Sequence, residues 1–157
     1  MNKVPMTEAG YKNLQAELKK LINTERPAII AEITEARGHG DLSENAEYQY
    51  AKEQQNLVES KILELENTIV QAEVIDISKL SGKEIMFGAT VKIKDNETSE
   101  HSTYQIVGEY ESDIENKKIS INSPIARGLI GKSDNDVVEI NSPKGIKFYT
   151  VISVKFQ

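Results

Sequence analysis

The sequence predicts an α+β protein in which a long N-terminal antiparallel α-helical coiled-coil hairpin precedes a small α+β domain with an antiparallel sheet. Three observations predict this order. Apolar residues recur with helical spacing to about residue 72, a glycine-containing break interrupts them near residue 40, and the period becomes that of strands from about Val74. We therefore expect the hairpin to span residues 1–78 and the sheet domain to span residues 79–157.

The first helix is predicted to begin after Thr7, whose hydroxyl is suited to accept a hydrogen bond from a helix amide. Its apolar residues follow at spacings of three and four, at Tyr11, Leu14, Leu18 and Leu21. Beyond Pro27, which has no amide donor, the apolar positions are Ile29, Ile33 and Ala36. We expect a bend or a phase shift of the helix near this proline.

The second helix carries the seven-residue repeat of a coiled-coil seam. The repeat is made by Ala51, Gln55, Val58, Ile62, Leu65, Ile69 and Ala72. Two such helices of roughly 30 residues each would reach on the order of 45 Å. That is longer than a compact domain of this size needs. The length therefore indicates that the hairpin serves to carry its tip far from the rest of the protein.

The sheet domain is predicted from short runs of β-branched and aromatic residues. These runs lie at residues 74–77, 89–93, 104–107 and 148–154. Between them, Ser123 is suited to cap a short helix that begins at Pro124, contains Ile125 and ends near Gly131.

The composition is that of a globular protein, with 157 residues, of which 38% are hydrophobic and 28% charged. A formal net charge of −6 argues against nucleic-acid binding by bulk electrostatics, so any such contact must be local. The chain has no cysteine, which excludes disulfides and thiolate chemistry. It has no apolar run of about 18 residues and no signal-peptide pattern, so we expect a cytoplasmic protein with no membrane partner.

The turn between the helices is the candidate functional segment. Asp41 and Glu44 stand three residues apart beside Gly38 and Gly40, which allow a tight turn that presents acidic oxygens at the tip of the hairpin. Such oxygens suit magnesium, but two carboxylates are too few for a tight site. The tip should therefore be catalytically silent alone, and a partner that adds carboxylates would complete a site at which a metal-bound water attacks a phosphodiester.

A structural alternative explains the same two residues. Asp41 would be the N-cap of the second helix, and Glu44 would be its capping-box partner. The local pattern taken alone favours this alternative. His39 is a further titratable group near the turn, but we leave it out of the catalytic set because the sequence shows no partner for it.

Separate blocks of the chain, in the same order, resemble the bacterial Gre transcript-cleavage (transcription elongation) factors of the GreA type. The blocks are residues 5–7, 36–48, 52–55 and 123–132. The resemblance implies a coiled coil that enters the secondary channel of RNA polymerase and an FKBP-like domain that docks at the channel rim. The protein would not be an enzyme itself, and we expect a monomer.

Asp41 and Glu44 match the tip carboxylates of this family. The resemblance implies that they help to hold the second Mg2+ of the RNA polymerase active site. The partner would be the RNA polymerase elongation complex, in which the nascent RNA 3′ end of a backtracked transcript is hydrolysed. With these blocks taken into account, this interpretation outweighs the capping alternative.

Other residues have secondary roles. The candidates for contact with RNA or polymerase are Arg37, Ser43, Asn45 and Lys52, and the candidates for polymerase docking are Ser123, Pro124 and Ile125. Solvated flanking charges also explain Arg37 and Lys52, and Ser43 and Asn45 also suit shaping of the turn. Three residues depart from the family pattern, namely Gly38, Gly128 and Asn135.

Three other functions fit parts of the pattern. The first is an inhibitor that enters the channel without productive metal geometry, against which the acidic pair argues. The second is an FKBP-like prolyl isomerase or a coiled-coil chaperone, which the fold class alone does not establish. The third is a self-sufficient metal nuclease, for which the chain offers too few clustered ligands.

Overall fold

The computed structural model describes residues 3–40 and 45–156, which fall into two compact units. The helical unit comprises Tyr11–Gln71, and the sheet unit comprises the residues up to Gly10 together with those from Ala72 onward. This division differs from the boundary expected after residue 78. Strand β1 (Val4–Thr7) pairs in parallel with β2 (Ala72–Ile75), so the start of the chain belongs with the sheet unit.

Three α-helices and one π-helical turn form the hairpin. They are α1 (Glu8–Lys20), the π turn (Leu21–Glu25), α2 (Arg26–Arg37) and α3 (Ala46–Gln71). The Arg26 guanidinium donates to both carboxylate oxygens of Glu59 at 2.7 and 2.8 Å, and this hydrogen-bonded pair raises the pKa of Arg26. Helices α2 and α3 therefore run antiparallel, as expected, because the start of α2 lies beside the middle of α3.

The π turn sets which face of α2 is buried. The heptad seam of α1, extended without interruption, would place Glu32 and Glu35 against α3. The five residues Leu21–Glu25 instead form the wider i→i+5 turn, which accommodates one additional residue. Ile33 and Ala36 are buried as a result, and the phase shift predicted near Pro27 is confirmed.

The seam of the helical unit is mostly aliphatic. Its buried side chains are Leu14, Leu21, Ile33, Ala36, Ala51, Ile62, Leu65 and Thr68. Near the end of α3 the buried residue is Thr68 and not the predicted Ile69. The Thr68 hydroxyl donates a hydrogen bond to the carbonyl of Glu64 at 2.8 Å, so this buried polar group has a partner.

The main sheet has five strands in the order β5–β4–β3–β7–β6. In chain order, the elements are β3 (Ala89–Asp95), β4 (His101–Val107), β5 (Lys118–Ser120), α4 (Pro124–Leu129), β6 (Val137–Ser142) and β7 (Gly145–Phe156). The prediction of an antiparallel sheet is wrong for one pair, because β4 and β5 are parallel. The sheet is therefore mixed. Residues 108–117 connect β4 to β5 and return the chain to the end of the sheet where β4 began, so that the two strands run in the same direction.

Helix α4 covers one face of this sheet. The Ser123 side chain accepts from the amide of Ala126 at 3.2 Å, which confirms the predicted N-cap. A Cβ at Gly128 would lie 3.2 Å from Ile140 and 3.4 Å from Val138, so a small residue lets α4 approach β6 closely. This approach explains Gly128, and a φ of 71° explains Asn135, because asparagine tolerates left-handed backbone.

Glu111 fastens the first residues of the chain to the sheet unit. Its carboxylate accepts from the amide of Thr7 at 3.0 Å, from the Thr7 hydroxyl, and from the amide of Gly108 at 2.9 Å. The Thr7 hydroxyl in turn accepts from the amide of Gly10 at 3.0 Å, which confirms Thr7 as the cap of α1. A side chain at Gly10 would overlap Glu111.

Among the helices of residues 3–40 and 45–156, none is long and apolar enough to cross a lipid bilayer.

A pair of leucines in α3 tests the seam. Leu65 is 1% exposed and Leu63 is 61% exposed. Leu65→Ala should lower the free energy of unfolding by about 2–5 kcal/mol, because it removes buried methyl groups and leaves a cavity. Leu63→Ala, the matched control, should change it by no more than about 0.5 kcal/mol. Equal effects in chemical denaturation would contradict the assignment of the seam.

Candidate functional site

Some of the predicted tip residues lie in the described segments 3–40 and 45–156, and others lie between these segments. Asp41, Ser43 and Glu44 lie outside the residues that the structure describes. Arg37 ends α2, while Asn45 directly precedes α3 and Lys52 lies in its second turn. The structure thus shows the helix ends on either side of these residues, and the role of the predicted carboxylates stays a prediction.

The end of α2 closes as a tight turn. The amides of residues 38, 39 and 40 donate to carbonyls three residues earlier at 3.1, 3.1 and 3.4 Å. Gly40 has a φ of 111°, a backbone conformation that favours glycine. Gly38 has a helical φ of −65°, which other residues also adopt. The backbone therefore does not require glycine at this position, where the chain departs from the family pattern.

Asn45 joins the two helices. Its side-chain amide donates to the carbonyl of Ala36 at 2.6 Å, and its side-chain oxygen accepts from the amide of Tyr48 at 3.1 Å. One residue thereby satisfies a carbonyl at the end of α2 and an amide at the start of α3. The turn-shaping role considered for Asn45 is confirmed, while its contact with RNA or polymerase stays a prediction.

This arrangement weakens the capping alternative for the acidic pair. Helix α3 begins at Ala46, and its N-cap position belongs to Asn45. The amides that a capping box of Asp41 and Glu44 would satisfy are therefore not those at the start of α3.

The charges around the tip frame are mainly paired or acidic. His39 Nδ1 lies 3.6 Å from a carboxylate oxygen of Glu47, and both side chains are largely exposed. Sequence reasoning missed this partner, because it is formed across the turn by residues eight positions apart. The Lys52 ammonium donates to the side-chain oxygen of Gln55 at 3.0 Å, and Arg37 is exposed.

Three glutamates line a cavity of about 240 Å³ on the hairpin below the tip. Glu32 and Glu35 come from α2, and Glu47 comes from α3. The rest of the lining is Ala36 of α2 with Tyr50 and Ala51 of α3. Within the described part of the chain, no three histidine, cysteine, aspartate or glutamate residues are arranged to hold a metal ion. Asp41 and Glu44 lie outside that part, and their role as metal ligands stays a prediction.

The three docking candidates lie together at the start of α4. Ser123, Pro124 and Ile125 line an apolar cavity of about 390 Å³. Ile114 and Ile140 contribute to the same cavity, and Ile114 is 69% exposed. Sequence reasoning missed these two isoleucines because they come from separate segments, which only the fold brings together.

A long helical hairpin and a separate unit with a mixed sheet define an α+β protein of two units. Family models match both parts of the chain: "Transcription elongation factor, N-terminal" over residues 4–74 and "Transcription elongation factor, GreA/GreB, C-term" over residues 80–156. The chain belongs to the GreA/GreB family of transcription elongation factors.

Curated relatives that are 54–56% identical over nearly the whole chain are GreA factors, which confirms the resemblance seen in the sequence. The transcription elongation factor GreA of Hyphomonas neptunium is 54% identical over 157 residues, with 100% of both chains covered. GreA of Maricaulis maris is 56% identical, and GreA of Caulobacter vibrioides is 54% identical, each over 156 residues and 99% of both chains.

Among solved structures, the Gfh1 protein (GreA factor homolog 1) of Thermus thermophilus is 25% identical, with a TM-score of 0.46 over 98% of this chain and 99% of that one. The family assignment rests on the sequence comparisons.

Substitutions of Asn45 test the closure of the hairpin. Asn45→Ala should lower the free energy of unfolding by about 1–2 kcal/mol, because it removes the cap of α3 and leaves the carbonyl of Ala36 without its donor. Asn45→Asp keeps the capping oxygen and loses only the donor, so its loss should be smaller. Equal losses in thermal denaturation would show that the cap contributes nothing.

Proposed function

We propose that this elongation factor stimulates the magnesium-dependent cleavage of the 3′ end of backtracked transcripts by RNA polymerase, and so rescues arrested elongation complexes. The single observation that supports the proposal is the position of Asp41 and Glu44 in the sequence, between α2 and α3 of a chain that belongs to the GreA/GreB family. The chemistry is that of the polymerase, and the factor is not an enzyme itself.

Coordination chemistry requires the partner. Magnesium prefers about six oxygen ligands in near-octahedral geometry, and it retains several waters. Asp41 and Glu44 would supply part of that shell, and carboxylates of the polymerase together with water would supply the rest. When bound, the shared ion lowers the pKa of a water ligand and stabilises charge on the phosphodiester.

The length of the hairpin supports insertion into a channel. Helix α3 has 26 residues, which at 1.5 Å per residue is about 39 Å. A tip at the end of such a helix reaches an active site that a globular domain cannot enter. One hairpin supplies both carboxylates, so a monomer suffices, and the cytoplasm is where a bacterial polymerase would meet it.

Docking is assigned to the sheet unit. We place the contact with the rim of the polymerase channel on the apolar cavity at the start of α4, where Ser123, Pro124 and Ile125 lie beside the exposed Ile114. Apolar pockets of this kind accept an anchoring side chain of a partner. Binding and stimulation then depend on different units of the chain.

Arg37 and Lys52 flank the turn, and both are exposed. We propose that they position the phosphates of the displaced RNA end, with Ser43 as a further contact. Their contribution is secondary, since the glutamates of the neighbouring cavity reduce the local positive potential.

Substitution of both tip carboxylates tests the function. Backtracked polymerase complexes with a 3′-labelled transcript are incubated with magnesium and each variant, and release of short 3′ fragments is measured. Asp41→Asn combined with Glu44→Gln should slow release about 100-fold or more, because metal stabilisation of the developing charge is worth several kcal/mol. Competition for polymerase binding should be unchanged.

The matched control is Glu32→Gln combined with Glu35→Gln. It also removes two negative charges, but from the flank of α2 and not from the tip. It should retain most of the stimulation. Equal loss in both double variants would refute a specific role of the tip. Binding without release by the wild-type protein would favour the channel-entering inhibitor. Cutting of RNA by the factor and magnesium without polymerase would contradict the need for a partner.

A further inference from the structure

The face of the main sheet opposite α4 carries a basic surface, which we call the basic face. Residues of β3, β4 and β7 that alternate with the buried core share this side by strand register. Its nine residues are Thr90, Lys92, Lys94, His101, Thr103, Gln105, Thr150, Ser153 and Lys155. None of them belongs to the tip or to the apolar cavity at α4.

The charge of this face is opposite to that of the whole chain. Its nine residues include three lysines and one histidine but no aspartate or glutamate, although the chain has a net charge of −6. Four carboxylates border it. Glu139 lies on β6 opposite Phe148, Glu100 lies just before β4, and Glu8 and Asp76 line a cavity together with Gln105 at the other end of the face. The face is therefore a local positive region, as nucleic-acid binding by an acidic protein requires.

The three ammonium groups are free to bind a ligand. Lys92, Lys94 and Lys155 form no ion pair with any residue in the described ranges. Lys147 of the same strand β7 lies on the opposite side and is paired with Asp95 at 3.5 Å. Of the lysines on β3 and β7, those on the basic face thus have no ion pair among the described residues, whereas Lys147 on the core side is paired.

Strand geometry spaces these lysines regularly. Lys92 and Lys94 are two residues apart on β3, which is roughly 7 Å. Lys155 lies opposite Thr90, one strand away and two residues along from Lys92, which is roughly 8 Å. Three cations therefore follow one path along β3 and onto the neighbouring strand β7, as an extended polyanion would need.

The neighbouring groups favour a phosphate backbone over a protein. Hydroxyl and amide side chains of Thr90, Thr103, Ser153 and Gln105 surround the lysines, and groups of this kind contact phosphate and sugar oxygens. The core of a protein interface would instead be apolar and poor in lysine. Phe148, 51% exposed, continues the face along β7 and offers a ring on which a base can stack.

We propose that the basic face binds a single-stranded nucleic acid, with its backbone along Lys92, Lys94 and Lys155 and a base stacked on Phe148. This site is independent of the tip carboxylates and of cleavage, and it goes beyond the proposed function. It is a second contact with nucleic acid, made by the sheet unit.

Fluorescence anisotropy with a labelled 12-nucleotide oligouridylate tests the site in the full-length protein without polymerase. Three phosphate contacts predict a log–log salt slope of about −2, so that binding weakens about 20-fold between 50 and 200 mM salt. The triple variant K92Q/K94Q/K155Q should weaken binding at least about tenfold and flatten the slope towards zero. Phe148→Ser should weaken binding without changing the slope.

Two further triple variants complete the test. K92R/K94R/K155R keeps the charges and should keep the affinity. K83Q/K132Q/K144Q removes three exposed lysines outside the basic face and should bind like the wild type. The proposal is overturned by absence of binding, by equal loss in the two glutamine variants, by preference for duplex DNA, or by binding to anionic phospholipid vesicles instead of the oligonucleotide. Cleavage assays are separate, so either proposal can fail alone.

Discussion

The carboxamide of Asn45 joins the end of α2 to the start of α3, since it donates to the carbonyl of Ala36 and accepts from the amide of Tyr48. Reversal of the chain leaves unsatisfied carbonyls on one helix and unsatisfied amides on the next. A side chain with both a donor and an acceptor satisfies one of each. The described ends of the acidic turn are therefore held by hydrogen bonds of the flanking helices.

The π turn determines which side chains of the hairpin meet solvent. Its additional residue rotates α2 so that Ile33 packs in the seam, while Glu32 and Glu35 line the cavity shared with Glu47. Burial of unpaired carboxylates in the seam would be strongly unfavourable. The π turn thus lets α2 contribute apolar residues to the seam while its glutamates stay on the flank of the hairpin. The acidic flank keeps the positive potential near the tip low.

Local signals predicted the helices, both caps at Thr7 and Ser123, and the phase shift near Pro27, because helix contacts and capping bonds join residues close in sequence. Strands β1, β5 and β6 were not predicted. Strand β6 forms a hairpin with β7 that its residue pattern did not reveal, whereas β1 and β5 are short and pair in parallel with segments that do not adjoin them in the chain. For the same reason the apolar cavity at α4 and the basic face emerged only from the fold. Of the candidate site, the motif located the turn, but the bond from Asn45 to Ala36 and the pairing of His39 with Glu47 required coordinates.

The central claim is that the factor contributes ligands to a magnesium ion held jointly with RNA polymerase. The most direct measurement is the rate of transcript cleavage in backtracked complexes as a function of magnesium concentration, with and without a saturating amount of the factor. Added ligands strengthen metal binding, so the account predicts that the factor lowers the magnesium concentration at half-maximal rate. A raised maximal rate at an unchanged half-maximal concentration would contradict shared coordination.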